Sequence, residues 1–196
     1  MPGTKLADIF RHYGTDKVEY APAYEIFLRF KRGQVMRLLE VGIGTLIPDA
    51  HCSMVGWGAA HYRQGGSLRC WRDYFPRAMI FGIDTQPDTQ FCENRIKTFL
   101  CDSTRGDDIQ QLHQRINLKD LDIIIDDGSH RAVDQLATLN NLFHFLCADG
   151  LYVIEDAEGN GLFDRRREIW DVIGDAVLLA GADFNPVFIQ KMADSL

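Results

Sequence analysis

The sequence predicts a doubly wound α/β fold, with a mostly parallel sheet and helices on both faces. Two observations carry that prediction. Four short apolar runs, "MRLLEVGIG", "AMIFGIDT", "LDIIIDDG" and "GLYVIEDA", each end in glycine or acid, the pattern of strands buried on both faces. Segments of helical periodicity separate them, and strands alternating with helices of this length make parallel βαβ units. Right-handed crossovers then set helices on both sides of the sheet and leave ligands to the carboxyl ends of the strands.

In chain order, residues 1–35 hold two helical pieces, "LADIFRHYG" and "YAPAYEIFLRF", that can pack across the sheet or cover its mouth as an N-terminal cap. "MRLLEVGIG" is the first strand. Residues 45–64 have no clear period, and a loop of that length without structure of its own reads as a lid or binding loop. "GSLRCWRDYF" is a helix, "AMIFGIDT" the second strand and "IKTFLCD" a weaker one. The helix "DDIQQLHQRIN" leads into "LDIIIDDG", and "AVDQLATLNNLFHFL" leads into "GLYVIEDA". "RRREIWDVIGDAVLLA" is a last helix, and "ADFNPVFIQKM" one further strand, short for a complete C-terminal hairpin.

Composition narrows the class. With 196 residues, 46% hydrophobic and 25% charged, the chain is long enough to close one sizeable core, so a single domain over 1–196 is expected. The formal charge of −7 argues against general affinity for nucleic acid or an anionic membrane, since both recruit clustered Lys and Arg. The cluster Arg165-Arg166-Arg167 reads as a solvated helix face. Five cysteines show no CxxC pair and leave one unpaired in any disulfide scheme, the usage of reduced thiols in the cytosol. The opening residues mix charge into their first turns, and no run approaches the ~20 apolar residues of a membrane span. A soluble, cytoplasmic protein is the expectation.

Chemistry gathers at the strand ends. Glu40, Asp84, Asp102, Asp126 with Asp127, and Glu155 with Asp156 all stand where apolar runs stop. One such acid is often only a cap or turn residue. Five strand ends sharing one rim are different, because carboxylates held close raise one another's pKa unless donors or a cation offset them. Gly42 and Gly44 in "EVGIG" let the backbone turn sharply and a ligand approach. The third glycine of a GxGxxG fingerprint would fall at Ile47, which counts against a phosphate cradle of the NAD type. Asp84 can accept both hydroxyls of a ribose, and Asp102 with Ser103 can reach an adenine amino group.

"LLEVGIG", "GIDT", "CDST" and "DIIIDDGSH" resemble, in order, the motifs of the class I S-adenosylmethionine-dependent methyltransferases, whose fold is Rossmann-like. More narrowly, "YGTDK", "GGSLRCWRDYFP", "IDDGSH" and "GLYVIEDA" resemble the metal-dependent macrolide sugar O-methyltransferases of the mycinamicin and tylosin type, and the cephalosporin hydroxylase-like group is similar at the same places. The resemblance runs from about Leu6 to Asp156 and departs in the loop from Thr45 to Gln64 and at the C-terminus. It implies S-adenosylmethionine and Mg²⁺ as cofactors, a small-molecule acceptor with a sugar hydroxyl, and a homo-oligomer. It also implies roles. Glu40, Gly42 and Gly44 would face the methionine end of the cofactor, Asp84 its ribose, Asp102 and Ser103 its adenine. Tyr13, Thr15 and Lys17 would close over it, with Ser67 and Asp126 nearby. Asp127, Glu155 and Asp156 match the family's metal ligands, and His130 its general base.

That set makes chemical sense. An alcohol is a poor nucleophile, a divalent ion on its oxygen lowers its pKa, and a histidine can take the proton at physiological pH. Oxygen ligands suit hard Mg²⁺. Blander readings stay open: His130 can simply cap the helix that starts at Arg131, and Glu155 and Asp156 can be solvated loop acids. His51, His61, Trp57 and Tyr62 in the loop are either substrate-facing or ordinary anchoring and surface groups. Two rival functions share the scaffold, namely a hydroxylase-like enzyme or cyclase that keeps the cofactor site, and a non-catalytic relic that only binds nucleoside.

Overall fold

The computed structural model describes residues 6–50, 53–56, 62–179 and 185–193. His51, Cys52, Trp57 and His61 lie outside the described residues. Eight strands form one sheet in the order β3-β4-β2-β1-β5-β6-β8-β7. Its centre is parallel: β1 (Arg37–Val41) lies between β2 (Met79–Asp84) and β5 (Leu121–Asp126), flanked by β4 (Ile96–Leu100) and β6 (Leu146–Ile154). The edges are antiparallel, through the two-residue β3 (Cys92–Glu93) on one side and β8 (Val187–Gln190) with β7 (Val177–Leu179) on the other. Among the described residues six α-helices cover the faces: α1 (Leu6–Tyr13), α2 (Ala21–Leu28), α3 (Gly66–Tyr74), α4 (Gly106–Ile116), α5 (Ala132–Leu142) and α6 (Arg166–Ile173). None of the helices among the described residues is long and apolar enough to cross a membrane.

The continuous apolar runs are explained by burial on both sides. Leu38, Ile80, Ile123, Ile125, Leu151 and Val153 point to the face covered by α1, α2 and α3, while Leu39, Phe81, Ile83, Ile124, Tyr152 and Ile154 point to the face of α4, α5 and α6. This is the period-2 alternation of a strand with no wet face. Trp71 of α3 locks the first layer, its ring edge-on to Phe10 at 5.2 Å and to Tyr24 at 5.0 Å. Such pairs add about 0.5–1.5 kcal/mol beyond the area they bury. Tyr24 is thereby a rigid strut, which matters for what its hydroxyl reaches.

Two expected helices are shorter than their periodicity implied. The segment from Ala132 leaves the α-helix after Leu142, passes through a 3₁₀ turn at Phe143–Phe145 and enters β6 already at Leu146. The segment from Arg166 stops at Ile173, capped by Gly174 at φ 56°, and its apolar tail becomes β7. Pairing of β7 with β8 makes the C-terminal antiparallel pair that looked incomplete. Local periodicity lost in both places to strand pairing: Leu146 joins β6 opposite Leu121 of β5, and Val177–Leu179 pair with β8 at the sheet edge. Of residues 45–64, the described part folds back on β1: Thr45 bridges Ser53, and Met54–Gly56 form a 3₁₀ turn.

Candidate active site

The strand ends β1, β2, β4 and β5 open on a cleft of about 480 Å³, within the usual range for small-molecule sites. Gly42 and Gly44 form its floor. Gly42 sits at φ 88°, and a Cβ there would fall 1.9 Å from the Asp127 carbonyl oxygen. Only glycine lets the turn after β1 touch the turn after β5. Asp84 holds the same loop, its Oδ2 accepting from the amides of Ile43 (2.8 Å) and Gly44 (3.3 Å). Tyr62 packs over Gly44 and donates to the Ile43 carbonyl (2.8 Å), so the loop's C-terminal arm forms a wall. Asp102 accepts from the amide (3.0 Å) and hydroxyl (2.6 Å) of Thr104, and Ser103 pairs with Thr138 (2.8 Å). All of these line the cleft, together with Thr15, Lys17, Ser67, Asp126, Asp127 and His130.

Tyr13, Glu40, Glu155 and Asp156 do not. Tyr13 donates to Asp73 Oδ2 at 2.6 Å. Glu40 lies beneath Lys17, fully buried. Burial raises its pKa to about 7 against the opposing Lys17 ammonium, 3.6 Å away, and the Ser67 hydroxyl. Asp126 is likewise pushed up to about 7 by burial and caps the amide of Gly128 (3.3 Å).

Three titratable groups meet at the mouth. One donor atom each from Asp127, His130 and Asp156 can be chosen so that all lie within 4.8 Å of one another. His130 Nε2 is 3.0 Å from Asp127 Oδ1 and 3.5 Å from Asp156 Oδ2. His130 (φ 58°) and Asp156 (φ 51°) both hold left-handed backbone, a conformation that His and Asp adopt more readily than most residues. His130 does not cap α5. The N-cap is Arg131, whose amide bonds Ser129 Oγ at 3.3 Å, while Ser129 donates to Asp134 at 2.6 Å. The Asp127 hydrogen bond holds the His130 pKa above its ordinary value, outweighing burial.

The N-terminal cap reaches this cluster with three side chains. Thr15 Oγ1 accepts from the Lys17 amide and starts the 3₁₀ turn Asp16–Val18. Lys17, 1% exposed, then places its ammonium against Asp127 and Glu155. Tyr24 donates to the other Glu155 oxygen and Tyr20 donates to Asp156 Oδ1. Asn185 completes the grip, its Nδ2 donating to Asp156 Oδ1 (3.2 Å) and to the Tyr20 hydroxyl (3.0 Å). Burial alone would raise Asp127, but Lys17 and His130 outweigh it and hold the carboxyl below its usual range. At Glu155 the balance reverses: burial wins over Lys17 and Tyr24, and its pKa is raised. Of the acids expected to hold metal, Asp127 lines the cleft and Asp156 meets His130 beside it, while Glu155 is turned inward to Lys17 and Tyr24. Sequence reasoning missed Tyr20, Tyr24 and Asn185. Lys17, Tyr20 and Tyr24 follow the three- and four-residue steps of one helical face, the one signal that ties them together.

Past His130 and Arg131 the cleft adjoins a wider groove bordered by Asn160, Gly161, Asp164 and Glu168. Asn160 Nδ2 holds the backbone between the two, donating to the His130 carbonyl (2.9 Å) and to Gln135 Oε1 (2.8 Å).

No protein-family model matches the chain. It is 33% identical over 155 residues to the mycinamicin VI 2''-O-methyltransferase of Micromonospora griseorubida, which takes in 77% of this chain and 35% of that one. It is 31% identical over 161 residues to the 8-demethyl-8-alpha-L-rhamnosyl tetracenomycin-C 2'-O-methyltransferase of Streptomyces olivaceus, with 81% and 38% covered. The chain spans little more than a third of the length of these curated relatives. Among solved structures, the MycE methyltransferase from the mycinamycin biosynthetic pathway, in complex with Mg and SAH, superposes at a TM-score of 0.76 with 26% identity, over 96% of this chain and 55% of that one. The same enzyme with Mg, SAH and mycinamycin VI gives 0.75 at 27% identity, over 97% and 55%.

Proposed function

We propose, from the premise that this chain has the class I S-adenosylmethionine-dependent methyltransferase fold and is homologous to sugar O-methyltransferases of natural-product biosynthesis, that it methylates a hydroxyl of a sugar on a small molecule with the help of Mg²⁺. The observation that supports this most is the convergence of Asp127, His130 and Asp156 at the mouth of the glycine-floored cleft. A nucleoside binder needs the floor; it has no use for a histidine between two carboxylates. The donor chemistry fits a hard divalent ion, since Asp127 and Asp156 offer carboxylate oxygens and leave other positions to water and hydroxyls. Bound there with Glu155 as the third candidate ligand, such an ion supplies the Lewis acidity that lowers a hydroxyl's pKa. S-adenosylmethionine fits the strand ends, with Gly42 and Gly44 allowing close approach, Asp84 placed for ribose hydroxyls, and Asp102 with Ser103 for the adenine edge.

The chain's own residues do the remaining work. His130 stands between the cleft and the groove, so it can take the proton of a hydroxyl entering from the groove side. Asp127 orients the ring through its 3.0 Å contact and stabilises the charge the ring acquires. Tyr20 and Asn185 keep Asp156 from swinging into solvent. We further propose that residues 1–196 act as one domain, in the cytoplasm, as a homo-oligomer, without nucleic acid or membrane among the partners; the charge of −7 supports the last point. Transfer of a labelled methyl group from S-adenosylmethionine to a panel of glycosides tests the reading. Transfer to a glycoside, abolished by a chelator and restored by Mg²⁺, is expected; transfer indifferent to chelation contradicts it.

A further inference from the structure

Lys17 is given no step in the reading above, yet it is a cation almost fully buried within the site. Its ammonium takes Oδ2 of Asp127 and Oε2 of Glu155, while His130 takes the other Asp127 oxygen and Tyr24 the other Glu155 oxygen. All four oxygens of these two acids are engaged, two of them by a cation. Asp156 is held differently. Its Oδ1 is gripped by neutral donors, Tyr20 and Asn185, and its Oδ2 faces His130. One more carboxylate stands beside the lysine: Glu40 Oε1 is 3.6 Å from Nζ and fully buried, with the Ser67 hydroxyl also acting on the carboxylate.

We infer that Lys17 is an internal cation that competes with the metal for Asp127 and Glu155, and that Glu40 is the carboxylate to which it withdraws. The inference rests on the metal reading above and goes beyond it. Without a positive charge, three carboxylates packed around Lys17 would repel one another in a medium that screens poorly. The lysine supplies that charge and keeps the acids folded in place. A divalent ion brought to the same oxygens meets an ammonium a few ångströms away and must displace it. Glu40 lowers the cost of that displacement because it offers a second partner over a short move. Metal affinity is therefore set by residues that need never touch the metal.

Titration with Mn²⁺, read by the electron paramagnetic resonance of the free ion, tests this without any turnover. Lys17→Met should bind Mn²⁺ at least about tenfold more tightly than the wild type, because the repelling charge is gone. Its melting temperature without metal should be lower than that of the wild type, and Mn²⁺ should raise it by more. Glu40→Gln should act in the opposite direction and bind Mn²⁺ several-fold more weakly, since Lys17 loses its retreat. A merely structural role would weaken binding in both variants. Equal or weaker binding by Lys17→Met overturns the inference and leaves the metal reading standing. Should Lys17→Met fold only in the presence of Mn²⁺, the metal has replaced the ammonium and the inference holds. Should Mn²⁺ fail to rescue it, Glu40→Gln decides, and unchanged affinity there overturns the inference. A wild type that binds no Mn²⁺ sinks the metal reading and the inference with it.

Discussion

His130 earns its position through backbone geometry before any chemistry. At φ 58° it leaves the β5 turn in a left-handed conformation that puts Nε2 on Asp127 and not on the start of α5. The Asp-x-x-His spacing was legible in the sequence, because the two residues flank one turn. Their partners were not. Lys17 is 110 residues from Asp127, and Tyr24 is 131 from Glu155, so no local pattern relates them. The same distance hides the ammonium beside Glu155, because nothing nearby in sequence announces it. If His130 takes the acceptor's proton, His130→Ala lowers turnover by about 10²–10⁴-fold and leaves S-adenosylhomocysteine affinity, measured by calorimetry, within a few-fold. Turnover close to wild type assigns the base elsewhere.

Strands and the turns that end them set where those residues can be. The parallel centre of the sheet was readable because β1, β2, β5 and β6 are apolar on both faces, which leaves few other homes for such runs. The boundary between α6 and β7 was not, since three apolar residues after Gly174 serve a helix tail or an edge strand alike. At the element scale the decisive contact is between the β1 and β5 turns. At Gly42 both a left-handed φ and a backbone oxygen 1.9 Å from where a Cβ would stand exclude a side chain. Gly42→Ala should therefore destabilise the fold by at least about 2 kcal/mol, seen as a lower denaturant midpoint, and should weaken cofactor binding as the strand ends part. A midpoint unchanged within error means the turns are free to separate, and the floor of the cleft is then not the rigid element described.

On the scale of the whole molecule, two packed layers hold a parallel sheet whose carboxyl ends carry the residues proposed for the cofactor, while an N-terminal cap and an antiparallel C-terminal edge close on the acids from either side. Fold and cofactor motifs were legible because they are continuous in sequence. The closing contacts, Tyr20 and Asn185 on Asp156, join residues from opposite ends of the chain and exist only once the sheet is built. The relatives are nearly three times as long as the matched segment. The central claim is that one cleft holds a divalent ion at its mouth and an adenosyl group at its base. A crystal grown with Mn²⁺ and S-adenosylhomocysteine tests it most directly. Anomalous scattering is predicted to place the ion about 2.0–2.3 Å from oxygens of Asp127 and Asp156, with the ribose on Asp84 and the adenine beside Asp102 and Ser103. An ion elsewhere, or an adenosyl group outside the strand ends, would contradict the account.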